Sequence, residues 1–418
     1  MTQIIERFLL LLLPTQLGYH FWPPWSLVHG IRVDYLSPTL YFTDILIFLL
    51  FLISNFRLRI PAYAIAFAVL NVLLSYSPHI AIYNWLRLLE YFWLFKYLTS
   101  SAPYSLFLIR NSLSIAVIWT SFLAWSQFLK QASIGSLLYW LGERTFNINT
   151  PGIAKIDLFN LGFVLRPYAT LPHPNALAGF LLVSGLIIYY LTNITSVLRS
   201  PPLTAKPRAA SENLRGGWGV ILSKASIFVA ALTIPVTFSR SAIVLETLVV
   251  GYFLISKLKS LTFKFLIVIL TFAFCLLNIA YGNPSSLPDR LSLIRNSLFV
   301  IRNSPLFGVG LGNFIPASSN YQLTVGEFST INYQLITQPV HNIYLLLASE
   351  LGLPALFVIS YLTLKKIFQI SNFKFQIAVL VVLVTGLLDH YWLTLHQNRL
   401  LLTFLISIIY IKSFSHEQ

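Results

Sequence analysis

Long apolar runs broken by short polar turns dominate this chain, and many of the runs are of membrane-crossing length. A helix rises about 1.5 Å per residue, so crossing a hydrocarbon layer of about 30 Å takes roughly 20 apolar residues. That window predicts about twelve helices, at residues 4–20, 39–54, 60–76, 79–98, 108–128, 175–192, 219–238, 241–256, 262–281, 341–362, 374–391 and 396–412. The expected fold is an all-α integral membrane protein, one polytopic domain over residues 1–418. Two larger breaks, 129–174 and 282–340, are expected to be extracytoplasmic loops containing short amphipathic helices. A Pro-, Ala- and Ser-rich break at 193–218 reads as a flexible cytoplasmic linker. No internal repeat is visible.

Composition supports this reading. Apolar residues make up 56% of the 418 and charged residues 10%, against about 25% in a soluble domain. Mean hydropathy is +0.74. The net charge of +15 is not a nucleic-acid signal, because no soluble basic domain is present to carry it. It falls largely in short loops instead. Arg57 and Arg59 follow the second span, Arg110 the fourth, and Arg199, Lys206, Arg208, Arg215 and Lys224 the sixth. Lys257, Lys259 and Lys264 follow the eighth, Lys365, Lys366 and Lys374 the tenth, and Lys412 the twelfth. Inner loops collect Lys and Arg, so both termini are expected in the cytoplasm. The single cysteine, Cys275, lies in an apolar run, which excludes a disulfide framework and a thiol metal site. The first run lacks a small-residue cleavage site and reads as a retained span.

This topology leaves basic residues on the outer face, where they are normally sparse. Arg166 sits in the run Arg166-Pro167-Tyr168-Ala169-Thr170-Leu171-Pro172-His173-Pro174-Asn175, and Asn175 is a candidate cap for the next helix. Arg166 suits a lipid headgroup phosphate or a substrate phosphate. Arg240, between Ser239 and Ser241, falls at the outer surface, where it either snorkels or holds an anion. Arg290, Arg295 and Arg302 lie on a stretch with helical apolar spacing, expected to form an amphipathic surface helix with Asp289 as its cap. Arg295 and Arg302 share one face of it, interfacial or ligand-facing.

His341-Asn342 opens the tenth span, at a helix N-terminus that favours anions. His341 is a candidate proton acceptor or an interfacial cap. Glu350 falls deep in the same span and needs a partner, with Arg87 a candidate, although Arg87 already has Glu90 three residues on. Gly308, Gly310 and Gly312 read as a tight turn that lets backbone approach another segment. Asp34, Asp389, His390 and His396 complete the polar inventory. No His, Asp or Glu cluster has metal-ligand spacing along the sequence.

The order of these pieces resembles the O-antigen ligase and O-antigen polymerase superfamily. The residues that carry the resemblance are Arg166 to Asn175, Ser239-Arg240, Pro305 to Gly310, His341-Asn342 and Glu350-Leu351-Gly352. The resemblance implies an inverting, metal-independent glycosyltransferase with no cofactor, in the cytoplasmic membrane of a bacterium. Its donor would be a glycan on undecaprenyl diphosphate, and its acceptor a hydroxyl on a lipid-anchored core, a growing polymer or a protein. By this analogy Arg166 and Arg240 hold the diphosphate and His341 activates the acceptor or positions the donor. Ser239, Ser241, Asn342, Arg290, Arg295, Arg302, His173 and Glu350 would contact substrate. A polysaccharide polymerase and a protein O-oligosaccharyltransferase are alternatives of the same class. A transporter or flippase for lipid-linked or anionic substrates is the alternative of another class.

Overall fold

The computed structural model describes residues 1–100, 104–157, 162–197, 210–257, 287–324, 337–370 and 373–411. The expected ninth span at 262–281, with Cys275, lies outside these residues. So do Arg199, Lys206, Arg208, Lys259, Lys264 and Lys412.

The described chain is mostly helix, with three two-stranded antiparallel sheets. The N-terminal part holds α1 (Thr2–Leu11), α2 (Phe42–Ile53), α3 (Ala62–Leu73), α4 (Pro78–Ser100) and α5 (Tyr104–Lys130). The middle holds α6 (Pro174–Val197), α7 (Ala210–Val236) and α8 (Arg240–Lys257). Then come α9 (Leu287–Asn303), α10 (Phe314–Thr324), α11 (Ile343–Leu351), α12 (Leu353–Gln369), α13 (Phe373–Leu388), α14 (Tyr391–Thr394) and α15 (His396–Tyr410). Strands β1 (Gly18–His20) and β4 (Thr39–Tyr41) pair, as do β2 (Leu27–Val28) with β3 (Ile31–Arg32) and β5 (Lys155–Asp157) with β6 (Phe163–Leu165).

Among the described residues, three stretches are long and apolar enough to cross a membrane: Leu106–Lys130, Pro174–Ile194 and Gly217–Val236. Phe42–Ile53, Ala62–Leu73 and Phe375–Leu388 are apolar but shorter. The sequence expectation is corrected in several places. The first apolar run stops as helix at Leu11, after about 15 Å. Pro14 follows, and Gly18–His20 leaves to pair with β4. The 193–218 break is not all linker, because α6 continues to Val197 and α7 starts at Ala210. The stretch expected as an amphipathic helix is helical, as α9, but Asp289 lies inside its first turn and does not precede it.

The core centres on α6, which packs against α5, α7, α8, α13 and α15. Every residue from Ala176 to Ser184 is buried. A helix that is apolar all round belongs inside a bundle. Gly179 allows the closest approach: a Cβ there would lie 2.4 Å from the Tyr391 hydroxyl. That contact seats the α13–α14 turn on the first turns of α6.

The expected tenth span is broken in two at Gly352. Gly352 has φ +86°, and Pro354 opens α12. The last carbonyls of α11 therefore need partners from elsewhere. The glycine turn supplies them. Val309 N–H donates to the Ser349 carbonyl at 2.8 Å and Gly310 N–H to the Glu350 carbonyl at 3.1 Å. The Asn71 amide donates to the Glu350 carbonyl at 3.0 Å and to that of Phe307 at 2.8 Å. Leu353 N–H donates back to Pro305 at 2.8 Å. The close-approach reading of the glycine block therefore holds.

Two buried polar networks lie within the helices. The Glu350 carboxylate accepts from the Tyr35 hydroxyl at 2.9 Å and from Phe314 N–H at 3.3 Å. It is not the partner of Arg87. Arg87 instead pairs with Asp44 at 2.8 Å and Glu90 at 2.9 Å, and also donates to the Thr39 carbonyl. His396 is held between the Thr43 and Tyr91 hydroxyls, both at 2.7 Å, and stacks on Tyr41.

The break at Gly352 gives a stability prediction. In Gly352→Ala a Cβ would meet the Leu306 carbonyl oxygen at 2.2 Å, in a left-handed backbone conformation. Such strain costs about 1–3 kcal/mol before any clash is counted. A clear fall in the thermal unfolding midpoint of the detergent-solubilised protein is expected. Gly185→Ala, where no atom lies within 4 Å of the added Cβ, should leave the midpoint unchanged or raised.

Candidate functional site

Five chain segments converge at one end of the bundle. They are the loop before α6, the end of α7, the start of α8, the start of α11 and the turn after α13. Three of these present helix N-termini, whose unpaired N–H groups and dipoles favour negative charge.

Arg166 is delivered by a stiff loop. Gln127, near the end of α5, clamps that loop. Its carbonyl oxygen accepts from Tyr168 N–H at 3.0 Å and Ala169 N–H at 2.8 Å, while its amide donates to the Ala169 carbonyl at 2.9 Å. The same amide donates to Glu143 at 2.8 Å, and Glu143 accepts from Ile134 and Gly135 N–H. The Thr170 hydroxyl ties the loop to the Pro14 carbonyl at 2.6 Å. Arg166 N–H donates to Ala154 at 3.1 Å. Its guanidinium donates through Nε to the Thr237 carbonyl at 2.8 Å and through Nη2 to Asn175 Oδ1 at 2.7 Å.

Arg240 is the first residue of α8 and is exposed. The turn before it is tight, with Phe238 at φ +52°. Thr237 Oγ1 accepts from Ser239 N–H at 3.2 Å, and the Ser239 carbonyl accepts from Ile243 N–H at 2.9 Å. Ser239 is buried in this cap, whereas Ser241 is half-buried. Arg240 lies close enough to Arg166 for the two charges to repel. Burial, with help from Arg240 and against Tyr168 and Asp389, pushes the Arg166 guanidinium down to about 10, so it stays protonated at neutral pH.

Asn175 is the hinge of the site, not the expected cap. It lies inside the first turn of α6, and His173 Nδ1 takes the capping role by accepting its N–H at 3.1 Å. The freed Asn175 amide donates to Asp389 Oδ2 at 2.9 Å. Asp389 is buried, and its other oxygen accepts from His390 N–H at 2.8 Å. Burial acts to raise the Asp389 carboxyl, but His390, His341, His173 and the Asn175 amide outweigh it and hold it below its ordinary value.

His341 precedes α11. Asn342 caps that helix, its Oδ1 accepting from Tyr344 N–H at 2.9 Å and Leu345 N–H at 3.0 Å. Its amide donates to the Leu387 carbonyl at 3.2 Å, which binds α11 to the end of α13. Asn342 therefore positions His341, and its amide keeps one uncommitted N–H donor. The His341 ring meets that of His390 edge to face, with centroids 5.1 Å apart. His341 Nδ1 is buried without a hydrogen-bond partner. Burial first, then Arg290, lower its proton affinity against the pull of Asp389 and Asp289, leaving a neutral imidazole able to accept a proton.

Ligand-capable atoms of His341, Asp389 and His390 all lie within 4.8 Å of one another, so these three side chains could hold a metal ion. Residue spacing along the chain gave no such set, and folding assembles it.

The remaining candidates divide between this site and other places. Arg290 is half-buried and donates to the Leu388 carbonyl at 3.3 Å, which brings it to the Asp389 turn. Arg295 and Arg302 are exposed on a face of α9 turned roughly 120–140° from Arg290. Glu350 is committed to Tyr35 and Phe314 and is 3% exposed, which removes it from substrate contact. Asp389 and His390 are not among the site residues that the sequence suggests. Their only sequence signal is an adjacent acid and imidazole just past an apolar run.

Below the cluster, α6, α7 and α8 enclose an apolar cavity of about 220 Å³. Its upper lining includes Leu181, Ile234 and Glu246, each within about two turns of Asn175, Thr237 or Arg240. Gly185 and Ala231 widen it lower down.

No curated protein matches the chain. Residues 225–360 match the O-antigen ligase family. The matched stretch contains Arg240, the Pro305–Gly310 turn, His341 and Glu350, while Arg166 and Asn175 precede it. The match spans the start of α8, the glycine turn and the His341 helix, and over this stretch, about a third of its length, the chain is similar to the O-antigen ligase family.

Proposed function

We propose that this membrane protein transfers a glycan from undecaprenyl diphosphate to an acceptor hydroxyl, on the outer face of a bacterial cytoplasmic membrane with both termini inside. The observation that carries this reading is the gathering of Arg166 and Arg240 beside His341 and Asp389 at converging helix N-termini.

The chemistry follows from charge. The acceptor oxygen attacks the anomeric carbon from the face opposite the leaving group, which inverts the configuration. The bond from that carbon to the diphosphate oxygen breaks, and polyprenyl diphosphate leaves with its electron pair. Arg166 and Arg240 meet the growing negative charge with charge-assisted hydrogen bonds. Their mutual repulsion favours an anion between them. His341 takes the acceptor proton, and the Asp389 carboxylate stabilises the imidazolium that results. Arg166, tied to Asn175 and through it to Asp389, keeps the phosphate side and the proton side in register. The apolar cavity below suits the first isoprene units of the donor, with its opening between helices as the lateral entry from lipid.

Purified protein with a lipid-linked donor tests this reading. Arg240→Ala should lower transfer by about 10²–10³-fold and His341→Ala by about 10²–10⁴-fold. Both variants should remain folded and membrane-inserted, and wild-type rates in both would sink the assignment.

Chelation gives a second check. Guanidinium groups carry the leaving-group charge in this mechanism, so EDTA should leave the rate unchanged. Strong inhibition reversed by added magnesium would point to a metal-dependent transferase instead.

A further inference from the structure

We infer that His341, Asp389 and His390 form a zinc-binding site, and that zinc bound there shuts transfer off. The ion-binding half rests on geometry alone. The shut-off half rests on the reading of His341 as the proton acceptor.

The donor set has the chemistry of a zinc site. Two imidazoles and one carboxylate suit zinc, whereas magnesium and calcium prefer all-oxygen shells. Three protein ligands leave a fourth tetrahedral position open. A tetrahedral ion at about 2.0–2.1 Å holds its ligand atoms roughly 3.3 Å apart. The present atoms lie within 4.8 Å of one another, so closure by at most about 1.5 Å completes the set. His341 can supply that movement without losing a contact at Nδ1, which has no hydrogen-bond partner.

The surrounding groups already orient the other two ligands. Asn175 donates to Asp389 Oδ2 at 2.9 Å. The Thr394 hydroxyl contacts His390 Nδ1 at 2.8 Å, which leaves Nε2 for a metal. Such outer partners fix tautomer and ring orientation at metal sites. Asp389 has a second oxygen held by His390 N–H at 2.8 Å. The opposing influences are Arg290, whose guanidinium donates to the Leu388 carbonyl at 3.3 Å, and Arg166, which reaches Asp389 through Asn175. The Asp389 carboxylate offsets part of that charge.

Zinc and catalysis compete for the same ring. An imidazole that binds zinc through one nitrogen keeps its proton on the other. Neither nitrogen can then accept the proton of an acceptor hydroxyl. The protein would therefore work metal-free and stop when zinc rises on the side of the membrane that this end faces.

The test uses the metal-stripped full-length protein in lipid nanodiscs. Cobalt(II) should give the visible absorption of a tetrahedral site, bleached by one equivalent of zinc. Zinc should reduce transfer at least about 10-fold, EDTA should restore it, and magnesium should do neither. Measured against its own metal-free rate, His390→Gln should raise the half-inhibiting zinc concentration by at least about 10-fold. Absence of the cobalt spectrum, or equal zinc affinity in His390→Gln, overturns the site. A bound zinc that leaves transfer unchanged overturns the shut-off. A metal-free protein that zinc activates overturns both the shut-off and the metal-free mechanism. Normal cobalt binding in a protein that never transfers glycan leaves the site standing and removes the proposed function.

Discussion

The two-sided hydrogen bonding of Asn175 is the constraint on which this site depends. Its amide oxygen accepts from Arg166 and its amide nitrogen donates to Asp389. A buried carboxylate is costly unless donors surround it, and a half-buried guanidinium next to a second one needs acceptors. One asparagine satisfies a demand on each side. It thereby joins the loop before α6 to the turn after α13, segments more than two hundred residues apart in sequence. Gly179 makes the junction possible, since any side chain there would collide with Tyr391.

The breaks in the helices serve the same end of the molecule. An uninterrupted helix through 341–362 would continue its hydrogen bonding past Gly352, with no carbonyls left for another segment. The break exposes them, and the glycine turn takes them up through Val309, Gly310 and Asn71. Glu350 is consumed in the same knot by Tyr35 and Phe314. The result is a short, braced α11, and His341, two residues before it, is held by Asn342 against the end of α13. The rigidity lies below the chemistry, and the reactive ring sits at its rim.

The sequence made the gross features readable. The excess of apolar over charged residues, and the length of the runs around 108–128, 175–192 and 219–238, is enough to place three long apolar helices. The ends of other helices were less legible, because Pro14 and Gly352 cut apolar runs that hydropathy alone joins. The candidate residues fared unevenly for a similar reason. Arg166, Arg240 and His341 stood out because polar residues beside long apolar runs are few. Asn175 and Asn342 also stood out, but as a cap and a substrate contact, and the structure uses the first as a bridge and the second as a cap.

By itself, the sequence determined that this chain is helical, belongs in a membrane and carries isolated cations beside its apolar runs. These are properties of composition and local order, and no folding is needed to see them. Only the tertiary structure decided which polar groups meet. It brought Asp389 and His390 to His341, turned Arg290 toward them and Arg295 and Arg302 away, and gave Glu350 to Tyr35 and Phe314. The physical reason is that partner choice for a buried polar group is set by packing between distant helices, where one close glycine contact moves a whole turn into reach.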